Sequence, residues 1–152
     1  MDITELVGAI QSLNTEDAFR GRLNFEQWRV LSQYLTQHEL RGGDMLIRQG
    51  DSDRTMYFLA RGSLQMFASG GGHRVTVLRP GSLVGETMLF LDGPHTVNVE
   101  AMTPCGVWAL RAPRFEELAQ RVPGVALEIA RAAGSVMARR LLAAMPRPAP
   151  VA

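Results

Sequence analysis

The hydrophobic positions along the chain change period twice. Over residues 3–37, Leu6, Ile10 and Leu13 recur at three- and four-residue spacing, and so do Phe25, Trp28, Leu31 and Leu35. That rhythm predicts amphipathic helices, with Asn24 placed to cap the second. Over residues 38–111 the apolar runs become short: Met45–Ile47, Met56–Leu59, Leu64–Phe67, Val75–Leu78, Val97–Ala101 and Val107–Leu110. Glycines punctuate them, and the Gly70-Gly71-Gly72 run reads as a hairpin loop. Regular short strands between turn residues predict an all-β roll or sandwich. Residues 112–145 return to helix. A short helix opens at Ala112-Pro113, and a longer one runs from Val125 to Met145, about 30 Å of helix, with Pro123 fitting the first turn. The proline-rich segment 146–152 cannot continue the helix and is expected to be a disordered tail. The pattern holds no repeat and predicts a single domain over 1–152.

Composition narrows the function classes. The formal net charge is +1, which gives no electrostatic case for nucleic acid or acidic lipid. All basic residues are arginines and they are scattered, which reads as codon bias rather than a set of phosphate forks. The single cysteine, Cys105, excludes an intrachain disulfide and suits a reducing compartment. The acidic start and the lack of an apolar run near ~20 residues predict a cytoplasmic protein with no membrane segment. His38, His73 and His95 show no metal-like pairing, and no serine stands in a nucleophile-elbow context. Neither a metal site nor catalysis is expected.

The stretch Gly85 to Ala101, GETMLFLDGPHTVNVEA, carries the chemistry. A strand end at Ser82-Leu83-Val84 turns at Gly85 into a short helix over Glu86 to Leu91, and a strand resumes at His95. Unpaired N–H groups at such a turn suit a phosphate. Gly85 lets a ligand approach the backbone, Glu86 can accept a ribose hydroxyl, and Thr96 can donate to a phosphate oxygen.

Three further stretches join this one: Ile47-Arg48-Gln49-Gly50-Asp51, Met56-Tyr57-Phe58-Leu59-Ala60-Arg61-Gly62-Ser63-Leu64 and Leu78-Arg79-Pro80-Gly81-Ser82-Leu83-Val84-Gly85-Glu86. Together with Val136-Met137-Ala138-Arg139-Arg140-Leu141 they resemble, over residues 20–143, the cyclic-nucleotide-binding domain family, in particular its Crp/Fnr group. The resemblance implies a mainly β fold with flanking helices: a jelly-roll β-barrel, the double-stranded β-helix, between N-terminal helices and a long C-terminal helix. It implies a ligand, cyclic AMP (cAMP), cyclic GMP (cGMP) or cyclic di-GMP, on a cassette comprising Gly85, Glu86, Thr87, His95 and Thr96. It also implies a long helix that closes over the base and pairs two subunits.

Residue by residue the match has gaps. Gly85 and Glu86 match the family's pair and Thr96 its small residue, but His95 stands where the family has its phosphate-binding arginine. The purine-contacting polar positions fall at Ala144 and Met145. Two readings stay open beside a stand-alone sensor: a degenerate module that binds no nucleotide and serves protein interaction, and a cyclic di-GMP receptor. A homodimer through residues 125–145 and a regulatory protein partner are expected. DNA binding by this chain alone is not, because only the proline-rich tail follows the long helix. Ile129, Ala133 and Val136 share a stripe, with Leu141 and Ala144 farther along, that could be a dimer seam, and Ala130, Ala133 and Gly134 are small enough for close approach. Gly134 costs about 1 kcal/mol in a helix interior, so it is expected to serve packing. Arg139 and Arg140 read as a solvated face.

Overall fold

The computed structural model describes residues 2–70 and 75–146. Helices α1 (Thr4–Ser12) and α2 (Phe25–Ser32) precede strands β1 (Thr36–Leu40), β2 (Met45–Ile47), β3 (Thr55–Arg61), β4 (Leu64–Phe67), β5 (Val75–Leu78) and β6 (Leu83–Val84). A short 3-10 helix (Glu86–Leu89), β7 (Asn98–Ala101), β8 (Cys105–Arg111), α3 (Ala112–Arg121) and α4 (Pro123–Ala144) complete the order.

Asn24 caps α2 as its position predicts. Its side chain accepts from the Gln27 amide at 2.8 Å, and the Gln27 side chain accepts from the Asn24 amide at 2.9 Å. The helical region ends earlier than its apolar spacing suggests. Leu35 lies beyond α2, and Thr36 and Gln37 already pair with Ala109 and Trp108 of β8. Tertiary pairing therefore overrides the local helical period, and β1 is a strand that the pattern missed. Pro123 opens α4, which ends one residue short of Met145.

The strands form two antiparallel sheets, ordered β1-β8-β3-β6 and β2-β7-β4-β5. The jelly-roll expectation holds for the two facing layers, but among the described residues no ladder joins the sheets, so the roll is not closed into a barrel there. Alternation along β3 shows how the layers are filled. Leu59 turns toward the inter-sheet core of Ile47, Leu64, Leu78, Val99 and Val107. Met56 and Phe58 turn to the opposite face, with Trp108 and Leu110, beneath the helices. Phe58 and Trp108 are fully buried, and truncating either to alanine should cost about 3–5 kcal/mol. β4 and β5 pair from Leu64↔Leu78 to Phe67↔Val75 as the hairpin expected between them. Gly71 and Gly72 of its loop, and the 147–152 part of the proline-rich tail, lie outside the described residues.

Two features place the functional region. Residues 13–24 form an irregular strap against α4, anchored by Phe19, whose ring meets Phe58 edge-on at 5.2 Å between centroids. The buried face of α4 comprises Val125, Ala126, Ile129, Ala132, Ala133 and Val136. Ile129, Ala133 and Val136 are 0% exposed, so this part of the stripe read as a possible dimer seam is this chain's own core, while Leu141 and Ala144 farther along are exposed. At Gly134 a Cβ would meet the Phe90 ring at 3.5 Å, an ordinary van der Waals contact, so the packing expected of this glycine is not what demands it.

Candidate functional site

The cassette begins where β6 ends. Gly85 takes φ +77°, and a Cβ at that position would lie 2.7 Å from the Thr55 carbonyl oxygen. The glycine is therefore demanded by the turn and by the close passage of β3, whatever else it does. The 3-10 helix that follows covers Glu86–Leu89 rather than reaching Leu91. An irregular segment, bent at Gly93, then leads to His95, whose amide donates to the Asp51 carbonyl (2.8 Å) and whose carbonyl accepts from the Gly50 amide (2.9 Å). Strand β7 starts at Asn98, three residues later than expected. Asn98 is buried, accepts from the Gln49 amide at 2.9 Å and donates to Ser69 Oγ at 2.7 Å. These bonds fix the far end of the cassette to the roll.

Glu86 is only 6% exposed. Burying a carboxylate demands a partner, and α4 supplies it: Arg140 Nη1 donates to both carboxylate oxygens, at 3.0 and 3.1 Å. Arg140 Nε donates in turn to Asp17 Oδ2 on the strap, at 3.0 Å. Burial pushes the Asp17 carboxyl up. Hydrogen bonding to Arg140 and its positive charge, with hydrogen bonds from Thr15 and from the Asp17 backbone, outweigh that effect and hold it below the ordinary 3.8. The remaining Arg140 nitrogen, Nη2, is buried without a hydrogen-bond partner among the described residues. The solvated face expected of Arg139 and Arg140 is thus corrected at Arg140. Position 140 follows the buried Val136 by four residues, so the helical period itself placed this arginine on the packed side.

The rest of the cassette faces elsewhere. Thr87, His95 and Thr96 line a 210 Å³ cavity that Arg54 also borders. His95 is buried, and its Nε2 lies 2.5 Å from Asp53 Oδ1 on the loop before β3. That nitrogen is therefore engaged by a carboxylate. Arg54 adopts φ +41°, donates to the Met88 carbonyl at 3.2 Å and pairs with Asp92 at 3.4 Å. Glu86 does not border this cavity. It stands behind Arg140, which lines a separate 310 Å³ cavity with Asp17, Met66, Thr76 and Ala144. The structure thus brings Thr87, His95 and Thr96 together and sets Glu86 apart from them. Arg140, Asp17, Asp53 and Arg54 are partners that the sequence motif did not name.

Among the described residues no three potential metal ligands cluster, and no helix is long and apolar enough to cross a membrane. The arrangement offers a buried carboxylate, an adjoining guanidinium and a partly apolar cavity, which is equipment for holding a polar ligand.

Comparison with known proteins places this geometry. The potassium/sodium hyperpolarization-activated cyclic nucleotide-gated channel 3 of Homo sapiens is 36% identical over 81 residues, which is 53% of this chain and 10% of the channel. This chain thus spans about a tenth of that relative's length. The N-terminal domain of a transcriptional regulator from Streptomyces coelicolor A3(2) superposes with a TM-score of 0.67 at 27% identity, covering 84% of this chain and 92% of that one. The catabolite activator protein of Thermus thermophilus gives a TM-score of 0.70 at 25% identity, over 81% of this chain and 57% of that one. The family model for the cyclic nucleotide-binding domain matches residues 37–122, from β1 through the cassette to the end of α3. With the ordered motifs and the two facing sheets, that match shows that the chain belongs to the cyclic nucleotide-binding domain family, in its Crp/Fnr-like form.

Proposed function

We propose that this chain is a regulatory sensor domain that binds a cyclic nucleotide between the cassette and α4 and signals through that helix. The observation that carries the reading is the contact from Glu86 through Arg140 to Asp17, which joins the cassette, α4 and the strap beside a 310 Å³ cavity. A ribose hydroxyl donating to Glu86 competes with the Arg140 guanidinium for the same oxygens. The released guanidinium is then free to meet the ligand's phosphate, the part that the family gives to the arginine whose place His95 takes here. Gly85 sets the turn, and Thr87 and Thr96 offer hydroxyls on the cassette's other side. Binding thus changes what α4 is tied to, and a ligand shifts a conformational equilibrium only through such a difference.

Isothermal titration with cyclic AMP, cyclic GMP and cyclic di-GMP tests the reading. Saturable binding of a cyclic nucleotide that Glu86→Gln weakens about tenfold is expected, on the scale of one charge-assisted bond. No binding of any of the three would favour the second reading, a cyclic nucleotide-binding fold used for protein interaction alone. The tie between His95 and Asp53 is the observation on that side.

The dimer expected through the long helix is kept as part of the proposal, on the exposed residues of that helix alone. Leu127, Leu141, Leu142 and Met145 are 56%, 63%, 64% and 57% exposed along α4 and just beyond it. Light scattering is expected to show a dimer that Leu141→Glu dissociates. A monomer at every concentration would remove this part of the proposal.

A further inference from the structure

Beside the strap, away from the cassette, Arg20, Arg22, Glu128, Arg131, Ala132 and Ser135 line a 230 Å³ cavity. Three of these six are arginines and one is a carboxylate. Among the described residues none of the three arginine side chains is held in an ion pair. The half-buried arginine on α4, Arg140, has two carboxylate partners, whereas Arg20, Arg22 and Arg131 are exposed. Glu128 is occupied in another way: its Oε2 accepts the backbone amide of Arg22 at 3.2 Å, which ties the strap to α4. The Ser135 hydroxyl adds a neutral donor at the rim. Guanidinium groups gathered around one concavity repel each other, and an anion placed among them relieves that repulsion. Their planar forks match the paired oxygens of phosphate. The volume is several times the roughly 30 Å³ share of one water, which is room for a compact anion.

We propose that this cavity is a second binding site, for a phosphate-bearing small anion, that cements the strap to α4. Arg20 and Arg22 come from the strap and Arg131 from the helix, so an anion held by both closes a contact that Glu128 makes alone without it. The same strap carries Asp17, which holds Arg140 at 3.0 Å. An anion in this cavity therefore stiffens the segment that governs Arg140, and so acts on the cassette without touching it.

Titration of the full chain with inorganic pyrophosphate tests the site, with calorimetry and melting temperature read together. One-to-one saturable binding and a raised melting temperature are expected. Arg131→Gln and Arg20→Gln should each weaken binding about tenfold, and the double variant about a hundredfold. All the substituted residues are exposed, so the variants should melt like the parent in the absence of anion. Absence of both heat and melting shift overturns the proposal. So does pyrophosphate affinity left unchanged in the double variant, which would place the anion elsewhere, the cassette included. Arginine-dependent capture of a hexaglutamate peptide in preference to pyrophosphate would overturn the assignment to phosphate.

Discussion

The two ends of the cassette are tied to different partners by the same kind of contact. At the Glu86 end a buried carboxylate meets a guanidinium carried by α4, which also reaches the strap. At the His95 end a buried imidazole meets Asp53 on the loop before β3, and two backbone bonds join the same residue to Gly50 and Asp51. One end is therefore coupled to helices and the other to the roll. A ligand that displaces the first tie changes the packing of α4, whereas one that displaces the second only loosens a loop. Under the proposed function, the Glu86 end is the one that signals and the His95 end the one that anchors.

The largest expected effect comes from cutting the helix-side tie. Arg140→Met leaves Glu86, with a side chain 8% exposed, buried without its partner. Removing one member of a buried pair should cost about 3 kcal/mol, because the remaining charge stays desolvated. Urea unfolding measures it, and Arg140→Met combined with Glu86→Leu should recover most of the loss. A cost below about 1 kcal/mol, in the range of exposed pairs, would mean that the tie is solvated in effect and that the two ends are alike.

Next comes the turn that aims Glu86. Gly85→Ala places a Cβ 2.7 Å from the Thr55 carbonyl at φ +77°. The strain and the displacement together should cost about 2 kcal/mol. Cyclic nucleotide affinity should fall with it, while the bond between His95 and Asp53 stays intact. An alanine variant as stable as the parent would show that the turn yields freely.

At the other end, substitution should change affinity more than stability. His95→Arg restores the family's cation, but Asp53 already waits beside that position at 2.5 Å from the present ring. The new guanidinium is expected to pair with Asp53, so the single substitution should gain little affinity for cyclic AMP. Adding Asp53→Ser frees it for the phosphate and should tighten binding about tenfold. Calorimetry compares the two variants. Full gain from His95→Arg alone would show that Asp53 does not hold this end.

How much of this was readable depended on whether the signal was local. The strands from Met45 to Leu110 and the Asn24 cap follow from residues a few positions apart. So does the cassette turn, since Gly85 and Glu86 adjoin in sequence. β1 was missed because Thr36–Leu40 becomes a strand only by pairing with β8, some seventy positions away. The partners of the site residues were missed for the same reason: Asp53 precedes His95 by 42 positions, and Arg140 follows Glu86 by 54. Ala133 shows a different limit. An apolar stripe reports that a helix face is covered, but not by which chain.

The smallest effect separates Asp17 from Glu86 as partners of Arg140. Asp17 holds its carboxyl below 3.8 in the folded chain, and a depressed folded value makes the charged form the stabilising one. That contribution is complete above the unfolded value and is lost as pH falls below about 3.8 through the lower folded value. Asp17→Asn removes the charge at every pH. The variant should therefore be the less stable one near neutral pH, and its urea midpoint should converge on the parent's as the solution is acidified below that value. The side chain is 29% exposed, so solvent and added salt reduce the difference. The strap's hold on Arg140 should accordingly weaken in strong salt well before the buried bond to Glu86 does. Equal midpoints at neutral pH, or a gap that does not close on acidification, would show that Asp17 contributes nothing to holding Arg140 and that α4 is tied to the cassette by Glu86 alone.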